Sequence, residues 1–198
     1  MDVDDLNPDP HVQFDAWFAD ASAAGARQPE RMALATATPE AIPSVRMVLL
    51  KGHDPRGFAF YTNLRSRKAA ELDANPRGAL VLHWEPPERQ VRVEGRVERI
   101  DDDESLAYFA SRPRGSRLGA WASPQSRRVE SREELEQEYA AVEQRFAGVE
   151  DVPLPPFWGG YRLIPDAIEF WQAQQNRMHD RVRYERDGDG WRRHRLAP

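Results

Sequence analysis

The stretch Met32–Thr62, MALATATPEAIPSVRMVLLKGHDPRGFAFYT, decides the fold. Its runs Met32–Thr38, Ser44–Lys51 and Phe58–Thr62 read as strands, and the PEAIP and HDPRG segments between them are turn-rich. Three short strands joined by tight turns pair most simply as an antiparallel meander.

Upstream, Phe14, Trp17, Phe18 and Ala21 recur at helical spacing between Pro10, a first-turn residue, and Gly25, a stop. Downstream, Ser66 can cap a short helix through Ala69, Ala70 and Leu72, which ends before Asn75-Pro76 because a pre-proline residue avoids helical angles. Ala79–Trp84 and Gln90–Ile100 continue the strands, with Val91, Val93 and Val97 on one face and Gly95 a bulge candidate. Asp101–Asp103 cap a helix through Leu106 and Phe109 towards Pro113, and GSRLGAWASPQS, residues 115–126, reads as a loop. Ser131 and Glu134 form a capping-box pattern ahead of the stripe Leu135, Tyr139, Val142 and Phe146. After a VPLPP connector, Tyr161–Ile164, Ala167–Gln172, Arg181–Glu185 and Trp191–Leu196 read as strands, the last two joined by a DGDG turn.

Many short strands with a few helices, lacking βαβ alternation, predict a mainly β chain with helices (α+β): an antiparallel β-barrel decorated by helices. The 198 residues fit one domain, 1–198, in which the acidic, proline-broken residues 1–9 are expected to be flexible and residues 161–198 supply the C-terminal strands. A net charge of -5 argues against nucleic acid and anionic membranes as partners, so basic residues must be judged locally. Cysteine is absent and no run approaches membrane-spanning length, which makes a cytoplasmic location the default expectation.

Three basic clusters point to anions. In an extended chain Arg177, His179 and Arg181 share one face, and such a set suits a phosphate or aromatic anion, although a solvated basic strand fits it as well. Arg65-Ser66-Arg67-Lys68 opens a helix where unpaired N–H groups attract anions. Arg46 and Lys51 flank the apolar Met47, Val48, Leu49 and Leu50, while Tyr108, Arg112 and Ser116 follow one another at four-residue spacing. Nucleophile elbows, zinc helices, Walker loops and Rossmann glycines are missing, and the five histidines lack metal-ligand spacing, so no metal is expected.

RMVLLKG at Arg46–Gly52, FYTNLRSRKA at Phe60–Ala69, ERQVRVEG at Glu88–Gly95, YFASRPRGSRLGAWASPQS at Tyr108–Ser126, PPFWGGYR at Pro155–Arg162 and EFWQAQQNRMHDR at Glu169–Arg181 together resemble the pyridoxamine 5'-phosphate oxidase family. The resemblance runs in order along nearly the whole chain. It implies a split β-barrel homodimer with two FMN sites at the subunit interface. Arg46, Arg67 and Lys68 would hold the FMN phosphate, with Gln125 and Ser126 reaching in from the partner; Tyr61, Thr62, Gln90 and the Met47–Lys51 backbone would line the flavin. Trp171 and Arg181 of the partner would complete the ring pocket, Lys51, Tyr108, Arg112 and Ser116 would grip the substrate phosphate, and the catalytic pair Arg177 and His179 would lie over the substrate ring. The implied reaction is oxidation of pyridoxamine or pyridoxine 5'-phosphate to pyridoxal 5'-phosphate, with hydride passing from the substrate C4' carbon to flavin N5 and oxygen reoxidising the flavin to give hydrogen peroxide.

The chain departs from the family pattern at Ala173, at Met178 and before Leu6, where an Arg-x-x-Tyr segment is not recognisable. A phenazine-pathway flavin oxidase and a non-catalytic flavin or deazaflavin carrier are the rival readings. Tyr108, Arg112 and Ser116 favour the phosphorylated vitamer over the first, and Arg177 with His179 argues against the second.

Overall fold

A computed structural model describes residues 1–198. The elements run α1 (Pro10–Ala23), β1 (Arg31–Ala37), β2 (Pro43–Leu49), β3 (Gly52–Asp54), β4 (Gly57–Asn63), α2 (Arg67–Ala74), β5 (Arg77–Trp84) and β6 (Arg89–Arg99). Then follow α3 (Asp102–Ser111), α4 (Arg114–Ala122), α5 (Arg132–Arg145), β7 (Trp158–Gln172), β8 (Asp180–Asp187) and β9 (Gly190–Arg195). All nine strands belong to one antiparallel sheet in the order β2-β1-β5-β6-β7-β4-β3, with β8 and β9 added beside β7. The sheet curls into the split barrel that the family resemblance implied, where the strand pattern alone read as a closed antiparallel barrel.

Period-two burial drives the curling. Met32 and Leu34 on β1, Leu80 and Leu82 on β5, Val91 and Val93 on β6, Phe58 and Phe60 on β4 and Leu163, Ile168 and Phe170 on β7 are buried together in one core. α1 closes the barrel by inserting Phe14, Trp17 and Ala21, with Trp17 meeting Phe170 edge-to-face at 5.1 Å. Asp9 caps this helix by accepting from the His11 N–H at 2.8 Å, and Pro10 occupies its first turn.

β7 differs from the sequence expectation of two strands: it is one strand of fifteen residues, paired from Tyr161 to Gln172 with β6. On its other edge it changes partner, pairing through Trp158–Leu163 with β4 and through Ala167–Gln172 with β8. The change coincides with a register shift at Glu94/Gly95, where Gly95 faces Pro165. Pro165 has no N–H to donate, so a central strand accommodates it at such an irregularity.

Three further expectations change. The meander is broken: β2 pairs only with β1, whereas Phe58–Thr62, in β4, pairs with β3 and β7 at the other end of the sheet. Part of the segment read as a loop forms α4; its glycines, Gly115 and Gly119, depress helix propensity and only Leu118 is buried, so the helical signal is faint. Residues 1–9, expected to be flexible, fold onto β8 and β9: Arg193 donates to the Val3 and Leu6 carbonyls at 3.0 and 2.7 Å, and the Tyr184 hydroxyl donates to the Asn7 carbonyl at 2.7 Å. No helix is long and apolar enough to cross a membrane.

A Cβ at Gly95 would lie 2.0 Å from the Ile164 carbonyl oxygen and 3.0 Å from the Asp166 nitrogen, both backbone atoms. Gly95→Ala should therefore destabilise the protein by about 2 kcal/mol or more, because strand must move against strand. A urea midpoint equal to that of the unaltered protein would contradict this account of the bulge.

Candidate active site

An open cleft of about 600 Å³ lies between β2, β4, the start of α2 and the α3–α4 junction. It collects Arg46, Met47, Val48, Leu49 and Lys51 from β2 and its end, Tyr61 and Thr62 from β4, and Lys68 from α2. Tyr108, Arg112 and Ser116 enter from the α3–α4 junction and Gln125 from the segment after α4. Residues far apart in the chain that were singled out for two separate anions thus line one cavity.

Lys68 is buried, and its ammonium donates only to neutral oxygens: Thr62 Oγ1 at 3.0 Å, Ser66 Oγ at 3.3 Å and Gln125 Oε1 at 3.0 Å. Burial and then the like charge of Arg46 push its pKa down to about 8, against a smaller pull from Glu71. Arg46 is held differently. Its guanidinium donates to the Leu34 carbonyl at 3.1 Å, to Thr36 at 2.6 Å, to Ser44, and to Glu71 Oε2 at 3.1 Å.

Glu71 organises this corner. Burial pushes its carboxyl up, but hydrogen bonds from Ser44, Thr36, Arg67 and Arg46 outweigh burial and hold the pKa at about 2. Arg67 reaches it along the helix, Nε to Oε1 at 2.8 Å, and is otherwise exposed outside the cleft. Glu71 was not singled out from the sequence, although its place four residues after Arg67 is the signal for a helical ion pair.

The second cationic corner has an unused donor. Arg112, whose pKa burial pushes down, has no carboxylate partner, and its Nη1 is buried without any hydrogen-bond partner. Its guanidinium lies 4.8 Å from the Trp158 ring centroid. An aromatic stack forms the wall beside it: Tyr61 on Tyr108 at 4.1 Å and Tyr61 on Trp158 at 5.4 Å, planes within 20° and 8°. Burial, followed by the charge of Glu104, raises the Tyr61 hydroxyl to about 12, so it stays protonated at physiological pH. Gly160 permits this stack, since a Cβ there would meet the Tyr61 ring at 2.7 Å. Trp158 is a cleft residue that strand patterning alone could not assign, because it looks like core.

Several expected residues lie elsewhere. Leu50 is buried behind the cleft, and Ser126 is exposed beside it with φ 69. Gln125, expected from a partner subunit, reaches the cleft from its own chain, where its Oε1 also accepts from Thr62 at 2.8 Å. Gln90, Trp171 and Arg181 form a second group across β6, β7 and β8, with Gln90 opposite Trp171 and Trp171 opposite Arg181. His179 packs its ring 4.7 Å from that of Trp171. Arg181 donates from Nε to buried Glu169 at 2.8 Å and from Nη1 to the Ala197 carbonyl at 2.8 Å. The extended arrangement of Arg177, His179 and Arg181 is not found: Gln175–Arg177 form a 3-10 turn, Asn176 and Arg177 have φ 55 and 61, and β8 begins only at Asp180. None of this second group lines the cleft of its own chain.

Comparison with known proteins agrees along the chain. Residues 18–146 match the family model described as pyridoxamine 5'-phosphate oxidase, and residues 158–198 match the pyridoxine 5'-phosphate oxidase C-terminal dimerisation region. A pyridoxine/pyridoxamine 5'-phosphate oxidase of Rubrobacter xylanophilus is 60% identical over 98% of this chain and 89% of its own length. One of Cupriavidus taiwanensis is 55% identical over 98% and 91%. Among solved structures, PhzG from Burkholderia lata 383 in complex with tetrahydrophenazine-1-carboxylic acid superposes with a TM-score of 0.93 at 34% identity, covering 99% of this chain and 96% of that one. With both family models matched in order and such relatives at 55–60% identity over nearly its whole length, the chain belongs to the pyridoxamine 5'-phosphate oxidase family.

Proposed function

We propose that the protein is an FMN-dependent oxidase that converts pyridoxamine 5'-phosphate and pyridoxine 5'-phosphate to pyridoxal 5'-phosphate, with oxygen as the acceptor. One observation carries the reading: a single cleft holds two cationic corners, and in each the most buried cation, Lys68 or Arg112, lacks a carboxylate. Buried unpaired cations are costly, and two phosphates relieve that cost.

The donor set fits FMN. Lys68, Arg46 and Arg67 would take its phosphate beside the N-terminus of α2, with Gln125 and Ser126 adjoining, and Thr62, Tyr61 and the Met47–Lys51 backbone would line its ring. The redox chemistry is what FMN supplies when bound: hydride acceptance from the substrate carbon, with the electrons then passed to oxygen as hydrogen peroxide. The chain's own residues bind and orient. Arg112, with Lys51, Tyr108 and Ser116, would grip the substrate phosphate, and the Arg112 fork offers two parallel hydrogen bonds that a lysine could not.

Gln90, Trp171, Arg177, His179 and Arg181 would complete the site from a second copy, in a homodimer. Three findings support this. The second group lies outside its own chain's cleft; Val45, Met47 and Leu49 form an exposed apolar edge on β2 at the cleft mouth; and residues 158–198 match a dimerisation region. Arg177 and His179 would then lie over the substrate ring, stabilising charge that develops on it.

The phenazine-type reading draws on the PhzG likeness. Lys51, Tyr108 and Ser116 line the same cleft as the unpartnered Arg112 guanidinium, which favours a phosphorylated substrate instead. In an oxygen-consumption assay of FMN-loaded protein, pyridoxamine 5'-phosphate should be used far better than pyridoxamine, and Arg112→Met should lower kcat/KM for the phosphate ester roughly 10- to 100-fold while sparing FMN affinity. Equal use of both vitamers would remove the substrate assignment.

Arg177→Ala and His179→Ala should each cut turnover by about tenfold or more with FMN still bound. Near-normal turnover in both would refute their role.

FMN affinity should depend on the Lys68 proton. A phosphate needs the ammonium, and the free protein loses it around pH 8, so affinity is full below that pH and falls as pH rises through it. Fluorescence titration should show a rising Kd from about pH 7.5 to about pH 9.5 in the unaltered protein and a weaker, flatter profile in Lys68→Gln; a flat profile in both would assign the phosphate to another corner.

A further inference from the structure

The segment from Ala173 to Asp180 links β7 to β8 and carries Arg177 and His179. Asn176 and Arg177 both sit in the left-handed region, at φ 55 and 61; Asn visits it readily, but Arg177 occupies it only where the surroundings hold it. Asp180 supplies that surrounding. Its Oδ2 accepts from Gln174 Nε2 at 2.7 Å and from the Met1 amino group at 3.0 Å, and its Oδ1 accepts from Arg195 Nη1 at 2.8 Å. One carboxylate thus ties the start of the segment to its end, to β9 and to the first residue. The Arg195 bond, opposed by burial and aided by the amino group and Gln174, holds the carboxyl at about 2, so Asp180 stays an acceptor across the physiological range.

The consequence falls on His179. Its Nδ1 lies 3.2 Å from the backbone nitrogen of Gln174, which can only donate, so Nδ1 presents its lone pair there and the ring proton resides on Nε2. The Trp171 ring, 4.7 Å away, supports the imidazole on its other side.

We propose that Asp180 is a positioning residue that clamps the Ala173–Asp180 segment so that the Gln174 amide fixes His179 as the Nε2–H tautomer, making it a hydrogen-bond donor to the substrate and not a base. What His179 faces rests on the proposed function, whereas the tautomer is a property of the protein before any ligand binds. A donor at Nε2 can meet an electron-rich oxygen or ring nitrogen and strengthen as charge builds there, with no proton taken up by the imidazole.

The test reads the tautomer directly, by long-range nitrogen–proton NMR on the full chain labelled at histidine nitrogen, with His179→Gln to assign the signals. The unaltered protein should show a lone-pair nitrogen at Nδ1 and a protonated nitrogen at Nε2. Asp180→Ala should convert this to a mixture of tautomers and lower turnover on pyridoxamine 5'-phosphate about tenfold, and Asp180→Asn, which keeps one acceptor, should restore much of both. Gln174→Met removes the side-chain bond to Asp180 but keeps the backbone donor, and should give a partial shift even if Asp180→Ala fails to fold. An Nδ1–H tautomer in the unaltered protein, or an unchanged tautomer in the foldable variants, overturns the proposal. If the tautomer behaves as expected while no phosphorylated vitamer is oxidised, the positioning role stands and the substrate assignment falls.

Discussion

Strand β7 has to satisfy two partners along one edge, and much of the architecture follows from that constraint. Its first half pairs with β4 and sets Trp158 and Gly160 beside Tyr61, which builds the aromatic wall of the cleft. Its second half pairs with β8 and sets Trp171 opposite Arg181, away from the cleft. The switch is made at Pro165, which cannot donate, facing Gly95, which has no Cβ to obstruct the approach. A single irregularity therefore separates the cleft residues from the Gln90, Trp171 and Arg181 group.

Charge is arranged with the same economy. An acidic protein concentrates Arg46, Arg67 and Lys68 at one helix start, and Glu71 keeps two of them in place. That carboxylate holds Arg46 in position, so the proposed binding of a phosphate would require little reordering of the long side chain. Lys68 is left without such a partner, and Arg112 with an idle donor. Each corner of the cleft therefore keeps a cation without a carboxylate, whatever its neighbours are bonded to.

Much of this was legible in the sequence. The Ser66, Asp101 and Ser131 caps, the first-turn Pro10 and the DGDG turn each act within a few residues, and the structure places them where the sequence does, whereas the Asp9 cap came from the structure alone. The basic clusters were legible as residue types. What escaped depends on contacts between distant segments: the continuity of β7 through Pro165, the helix of α4 with its one buried residue, and the anchoring of residues 1–9 on β8 and β9. The left-handed turn at Asn176 and Arg177 escaped in part for the same reason: Asn176 tolerates that conformation, but Arg177 does not signal it.

The proposed division of each site between two copies of the chain has a genetic corollary. A copy damaged only in its Lys68–Arg112 cleft still carries an intact Trp171–His179 group, and a copy damaged only in that group still carries an intact cleft. Mixed assemblies of two individually dead alleles would then contain one wholly undamaged site of the two, so intragenic complementation is built into this architecture.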